Sequence, residues 1–144
     1  KETAGPTFYS AIKLENYAGR IDADTVLWWL QQDLKARKEI YSATQSLSSV
    51  ITFFNAWFTK HSLYDVNVWS NGAAFDIPIL NNTYARLASI VPWGYKNVRC
   101  YRTAMALKPN NFCPKQKIFH HALYDAAYQV SKLIQKPVHI YDNF

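Results

Sequence analysis

Residues 67–80 read Asn67-Val68-Trp69-Ser70-Asn71-Gly72-Ala73-Ala74-Phe75-Asp76-Ile77-Pro78-Ile79-Leu80. Asn67 to Ser70 is a short run of strand character that reaches a turn at Asn71-Gly72. An apolar pattern follows in which Ile77, Leu80, Tyr84 and Leu87 recur at i, i+3, i+7 and i+10, one face of a helix. Pro78 suits the first turn of that helix, where there is no intrahelical N–H bond to lose. A strand running directly into a helix is the unit of an α/β fold. It places Asp76 at the helix start, just past the strand end, where a carboxylate can point outward. The same acid would also serve simply to complement the helix dipole.

The central helix has a neighbour. Leu47, Val50, Ile51, Phe54 and Phe58 form a stripe wide enough to face a sheet, with Ser and Thr residues before it as caps. This helix is core and carries no chemistry. Upstream, Thr7 to Leu14 is rich in strand formers, with Phe8, Ile12 and Leu14 on one face. Tyr17 to Arg20 reads as a loop. Asp22 or Asp24 then caps a helix whose stripe is Leu27, Leu30, Leu34 and Tyr41. Trp28 and Trp29 are adjacent, so one of them must lie toward the flank, packed under a neighbour or stacked on a base.

Downstream, Val91 to Gly94 breaks the helical pattern and Asn97 to Tyr101 reads as a further strand. Lys108 to Lys117, with its Pro and Asn content, is a loop whose three lysines suit a flap. The last helix starts near His120 and runs to about Gln135 on a stripe of Leu123, Ala127, Val130 and Ile134. Pro137 stops it, and Val138 to Phe144 is a tail.

A chain of 144 residues, 49% apolar with five Trp, ten Tyr and eight Phe, suits one packed domain and not a disordered segment. No apolar run approaches a membrane span and no signal peptide opens the chain, so the cytoplasm is the expected location. Two cysteines, Cys100 and Cys113, make neither a disulfide framework nor a four-ligand zinc site. Net charge is +6. Between Asp76 and Asp125 lie 48 residues with no acid, carrying Arg86, Lys96, Arg99, Arg102, Lys108, Lys115 and Lys117. Two carboxylates bracketing such a basic segment suit metal ions held beside a polyanion. A solvated basic surface without a partner has the same composition.

The second informative stretch is His120-His121-Ala122-Leu123-Tyr124-Asp125-Ala126. Together with Gly72-x-x-Phe75-Asp76 it resembles motifs II and III of the DEDDh 3′–5′ exonucleases, the superfamily of RNase T, oligoribonuclease and proofreading domains. The forms of both motifs are closest to the small phage and mycobacterial exoribonuclease-like branch. The resemblance covers residues 7 to 135. It implies a ribonuclease H-like α/β fold, a mixed sheet flanked by helices. It also implies a two-metal Mg²⁺ or Mn²⁺ site, a single-stranded RNA or DNA substrate, nucleoside 5′-monophosphate products, and a homodimer as a common arrangement. By residue match, Asp125 binds a metal, Asp76 supports the second metal or its water, and His120 is the base. Thr25-x-x-Trp28-Trp29-x-x-Gln32 is similar to a Trp-Trp-x-x-Gln element of that branch. The resemblance therefore puts Trp29, Gln32, Phe75 and Arg102 on the substrate. Arg102 belongs to Arg99-Cys100-Tyr101-Arg102-Thr103, which is similar to Arg-Asp-x-Arg-Thr but has Cys100 in the Asp place.

The physical reading is compatible with these roles. Metal-assisted phosphodiester cleavage needs converging hard oxygen ligands, and histidine as a residue type can take a proton from water near neutral pH. Five helical residues turn through about 500°, so His120 belongs on the loop entering the last helix. Asp125 lies about 160° around from Leu123, off the packing stripe. His121, four residues before Asp125, competes for the part of the base.

The family's first motif, Asp-x-Glu, has no match in the chain. Glu2 and Glu15 have the wrong partners, and Asp22-x-Asp24 reads as a helix cap. The chain begins at Lys1 and its only methionine is Met105. A single domain over residues 1–144, N-terminally incomplete with its first one or two strands in a preceding segment, is the expectation. A catalytically degenerate nucleic-acid-binding module is the main alternative, and a structural domain that meets an acidic protein is a third.

Overall fold

The structure is a computed structural model and describes residues 2–14, 21–62, 65–108, 111–115 and 119–140. The described residues form a mixed α/β arrangement of six helices and four short strands. In chain order these are β1 (Glu2–Thr3), α1 (Ala23–Leu30), α2 (Leu34–Tyr41), α3 (Leu47–His61), β2 (Val68–Ser70), α4 (Asp76–Arg86), β3 (Val98–Cys100), α5 (Tyr101–Leu107), α6 (Ala122–Ile134) and β4 (Val138–His139).

The decisive stretch folds as its pattern dictates. β2 pairs in parallel with β3, Val68 opposite Val98, Trp69 opposite Arg99 and Ser70 opposite Cys100. Parallel strands need a crossover, and α4 supplies it, making a β2–α4–β3 unit. Ile77 and Tyr84 are buried, and Leu80 and Leu87 pack beside them. The opposing face comes from α3, capped by the Ser46 hydroxyl, which accepts from the Ser49 N–H. Ile51 lies in the core, with Leu47, Phe54 and Phe58 against it. Trp93 completes this core, its ring 5.8 Å from Tyr84, 6.1 Å from Phe58 and 6.4 Å from Phe54. Those separations favour edge-on aromatic attraction in addition to area burial. Tyr84 is fully buried, and its hydroxyl donates to Asn55 Oδ1 at 2.6 Å, tying α4 to α3.

Four expectations change. Thr7 to Leu14 is not a strand: it makes a single bridge, Ile12 to Gln45, with Lys13 N–H donating to the Gln45 carbonyl. One isolated bridge is not a strand ladder, and aromatic side chains help to anchor the segment. Phe8 packs on Phe54 and Trp57, Tyr9 stacks on His121, and Leu14 is exposed. The predicted helix after Asp22 is two helices. Asp22 caps α1 by accepting from Thr25, and Asp33 caps α2 by accepting from Lys35, ending the periodicity between them. The stripe of Leu27, Leu30, Leu34 and Tyr41 is consequently exposed. The strand before Arg102 stops at Cys100, because Tyr101 begins α5. In α6 the buried positions are Leu123 and Ser131, while Val130 and Ile134 are exposed. The Ser131 hydroxyl accepts from the Val138 N–H and holds the chain as it enters β4.

β4 pairs in parallel with β1, Glu2 opposite Val138 and Thr3 opposite His139. Among the described residues the two strand pairs share no strand, so the sheet is small and open. The loop at Tyr17–Arg20, part of the Lys108–Lys117 loop and the end of the tail lie outside the described residues. No helix of the described residues is long and apolar enough to cross a membrane.

Candidate active site

Two groups of candidate residues take shape, each built by a different pair of elements. The first lies at the carboxyl ends of β2 and β3, the end at which open parallel sheets present their ligand crevices. The turn after β2 closes through Gly72, whose carbonyl accepts from the N–H groups of Phe75 and Asp76. Asp76 opens α4 and its Oδ2 accepts from the Gly72 N–H at 3.2 Å. The carboxylate is therefore held against its own turn, half-buried, with Phe75 exposed beside it in sequence.

Across from this turn stands Cys100, which ends β3. Its thiol is held down from 9.0 to about 7, first by the Thr103 hydroxyl, then by the Ala73 N–H and the Thr103 N–H. The Ala73 contact ties the Asp76 turn to the β3–α5 junction, where Arg102 is exposed. A thiol made more acidic by folding contributes stability that is complete above the unfolded value and is lost as pH falls through about 7. Alkylation of Cys100 should accordingly reach half its maximal rate near pH 7. Thr103→Val should move that midpoint upward; an unmoved midpoint by mass-spectrometric labelling would refute the hydroxyl's part.

The second group is at the start of α6. His120 sits in the turn before the helix with φ 60°, a left-handed conformation that His, Asn and Asp adopt more readily than other residues with a side chain. It is exposed, and its ring meets Trp28 edge-on at 4.8 Å. Trp28 in turn packs edge-on against Trp29 at 5.0 Å, and Gln32 Nε2 donates to the Trp28 carbonyl at 2.8 Å. His121 takes a different part. It is buried, stacked on Tyr9 at 4.4 Å and edge-on to Tyr124 at 4.9 Å, and it occupies the N-cap position of α6. Its carbonyl accepts from the Asp125 N–H, which sets Asp125, half-buried, in the first turn.

The structure thus joins His120 to the tryptophan–glutamine element, and Asp76 to the junction that carries Arg102. The residue that touches the histidine is Trp28, not the Trp29 singled out by sequence. Adjacent aromatics on a helix carry no signal of which one turns to a distant loop. α5 packs on α6, and the Tyr101 phenol is pushed up, first by burial and then by the nearby Tyr128. That packing brings the Cys100–Arg102 junction alongside the helix of Asp125.

The donor set falls short of a two-ion site. Among the described residues no group of three or more His, Cys, Asp or Glu forms that could hold a metal ion. At the position where the resemblance has Asp, Cys100 offers a soft sulfur that magnesium does not favour. Asp76 and Asp125 are hard oxygen donors of the right type, but they are part of a set.

A family model for the 3′–5′ exoribonuclease Rv2179c-like domain matches residues 1–135. The chain belongs to that family. Membership of the Rv2179c-like domain family fits the mixed α/β architecture, and the match spans both groups of residues. No curated protein and no solved structure matches the chain.

Proposed function

We propose that the chain is a 3′–5′ exoribonuclease domain of ribonuclease H-like kind that hydrolyses single-stranded nucleic acid from its 3′ end and releases nucleoside 5′-monophosphates. The observation that carries the reading is the family match over residues 1–135. It is supported by the edge-on contact that brings His120 to the Trp28–Trp29 pair. In this reading the tryptophans and Phe75 offer apolar surface to the terminal base, and Gln32 orients the Trp28 segment. Arg102 takes a backbone phosphate through its fork of donors. His120, exposed on its turn, accepts the proton of the attacking water. His121 is spent on packing, which supports His120 as the base. Asp76 and Asp125 are the carboxylates assigned to Mg²⁺ or Mn²⁺.

The incomplete donor set favours a second reading, a nucleic-acid-binding module that does not cleave. One assay separates the two. A 5′-labelled single-stranded oligoribonucleotide, incubated with the chain and Mg²⁺ or Mn²⁺, should shorten stepwise from its 3′ end, and EDTA should stop it. An intact strand that stays bound in EDTA would instead establish the binding module, and internal cuts would defeat both readings.

A further inference from the structure

A cleft of about 610 Å³ opens at the opposite end of the β2–β3 pair from Ser70 and Cys100. Its walls are the end of α3 (Phe58, Ser62), the segment entering β2 (Asp65) and the segment entering β3 (Trp93, Tyr95, Lys96). Because the strands are parallel, both entering segments meet at one end. About 10 Å of strand separates them from the turn of Asp76. The cleft is therefore distinct from the group at the Asp76 turn, and none of its lining residues belongs to the His120 group.

Its construction is that of a preformed recognition site. Trp93 is buried and packs against Phe58, giving an apolar floor. One lip is polar: Asn97 Nδ2 donates to Asp65 Oδ1 at 2.8 Å, linking segments 32 residues apart. Asp65 holds φ 66°, a left-handed conformation that aspartate tolerates better than most residues with a side chain. The other lip is Tyr95, 84% exposed, with Lys96 Nζ 5.8 Å from its ring centroid. A ring this exposed, with a cation beside it, adds little to the fold and offers a base a face to stack on. Among the lining residues Lys96 stands against Asp65, and Lys60 in the last turn of α3 and Arg99 in β3 add cations on the flanking elements. A volume of this size holds a nucleobase with its sugar.

We infer that this cleft is a second subsite for single-stranded RNA, in which Tyr95 stacks a base upstream of the end being trimmed and Lys96 pairs its phosphate. The inference rests on the exoribonuclease reading for the identity of the strand. It predicts that the protein distinguishes long strands from short ones: short strands reach only the cleavage end, and long strands span both.

The test is fluorescence anisotropy of the full chain in EDTA, with short and long oligoadenylates at the ends of a range of about 4 to 16 nucleotides. Tyr95→Ala should weaken the long strand at least about fivefold and leave the short one unchanged. Lys96→Ala should flatten the long strand's salt dependence by about one unit of slope. Since both side chains are exposed, circular dichroism should show both variants folded. Equal long-strand affinity for Tyr95→Ala and the unmodified chain would overturn the subsite alone, as would equal losses at both lengths. Failure of the unmodified chain to bind either strand would overturn the subsite, and the exoribonuclease reading falls with it only if the strand also stays intact in Mg²⁺ or Mn²⁺. Length-selective binding through Tyr95 in EDTA, with no shortening of the strand once Mg²⁺ or Mn²⁺ is supplied, would uphold the subsite and defeat the nuclease reading.

Discussion

His120→Asn is expected to lower the rate of strand shortening by roughly 10²–10⁴-fold, the usual worth of a positioned general base. The choice of asparagine matters. His120 holds φ 60°, and asparagine accepts the left-handed region at little cost, whereas alanine would add backbone strain to the loss of the imidazole. Because His120 is exposed, the variant should keep its fold. The same substitution at His121 would act differently: that ring is buried between Tyr9 and Tyr124, so its loss should appear as lowered stability. Asp125→Asn should likewise abolish cleavage without unfolding the chain, since it keeps the size of a half-buried side chain. A 3′-end shortening assay in parallel with thermal melts checks all three. If His120→Asn cleaves at the unmodified rate, the base lies elsewhere. If His121→Asn abolishes cleavage in a protein that melts normally, the two histidines have been assigned the wrong way round.

The second large effect concerns stability. Tyr84→Ala should cost about 3–5 kcal/mol, the range for truncating a large aromatic in a core. Tyr84 is fully buried in the cluster of Ile51, Ile77 and Trp93, so its truncation leaves a cavity between α3, α4 and Trp93. Tyr84→Phe keeps the ring and removes only the hydrogen bond to Asn55. It should cost about 1 kcal/mol, because Asn55 is half-buried and water can replace the lost donor. Urea denaturation of the three proteins measures both numbers. Equal losses in the two variants would mean that the hydrogen bond, not the ring, joins the two helices.

The contrast between legible and illegible parts of the chain follows from the range of the interactions. Periodicity over residues 67–87 and 47–58 predicts a strand, a turn and two amphipathic helices, and these form the core as read. Strong apolar stripes bury wherever a complementary surface exists, and each of these two helices is the other's surface. Asp76 at a helix start and His120 on a loop were likewise readable, because Pro78 and the five-residue spacing to Asp125 are local facts. The stripe of Leu27, Leu30, Leu34 and Tyr41 shows the limit: its period is helical, but Asp33 caps a second helix and the stripe is left exposed.

What the amino-acid order determined by itself was the α/β unit around Asp76, the basic segment and the family. Tertiary structure alone decided which histidine is buried and which tryptophan meets the other. It also decided that Asp65 and Asn97, 32 residues apart, would build a cleft at the far end of the strands. Such contacts depend on where two distant segments meet, and no local periodicity encodes that. Chain order specifies each element's face; only packing specifies what that face will touch.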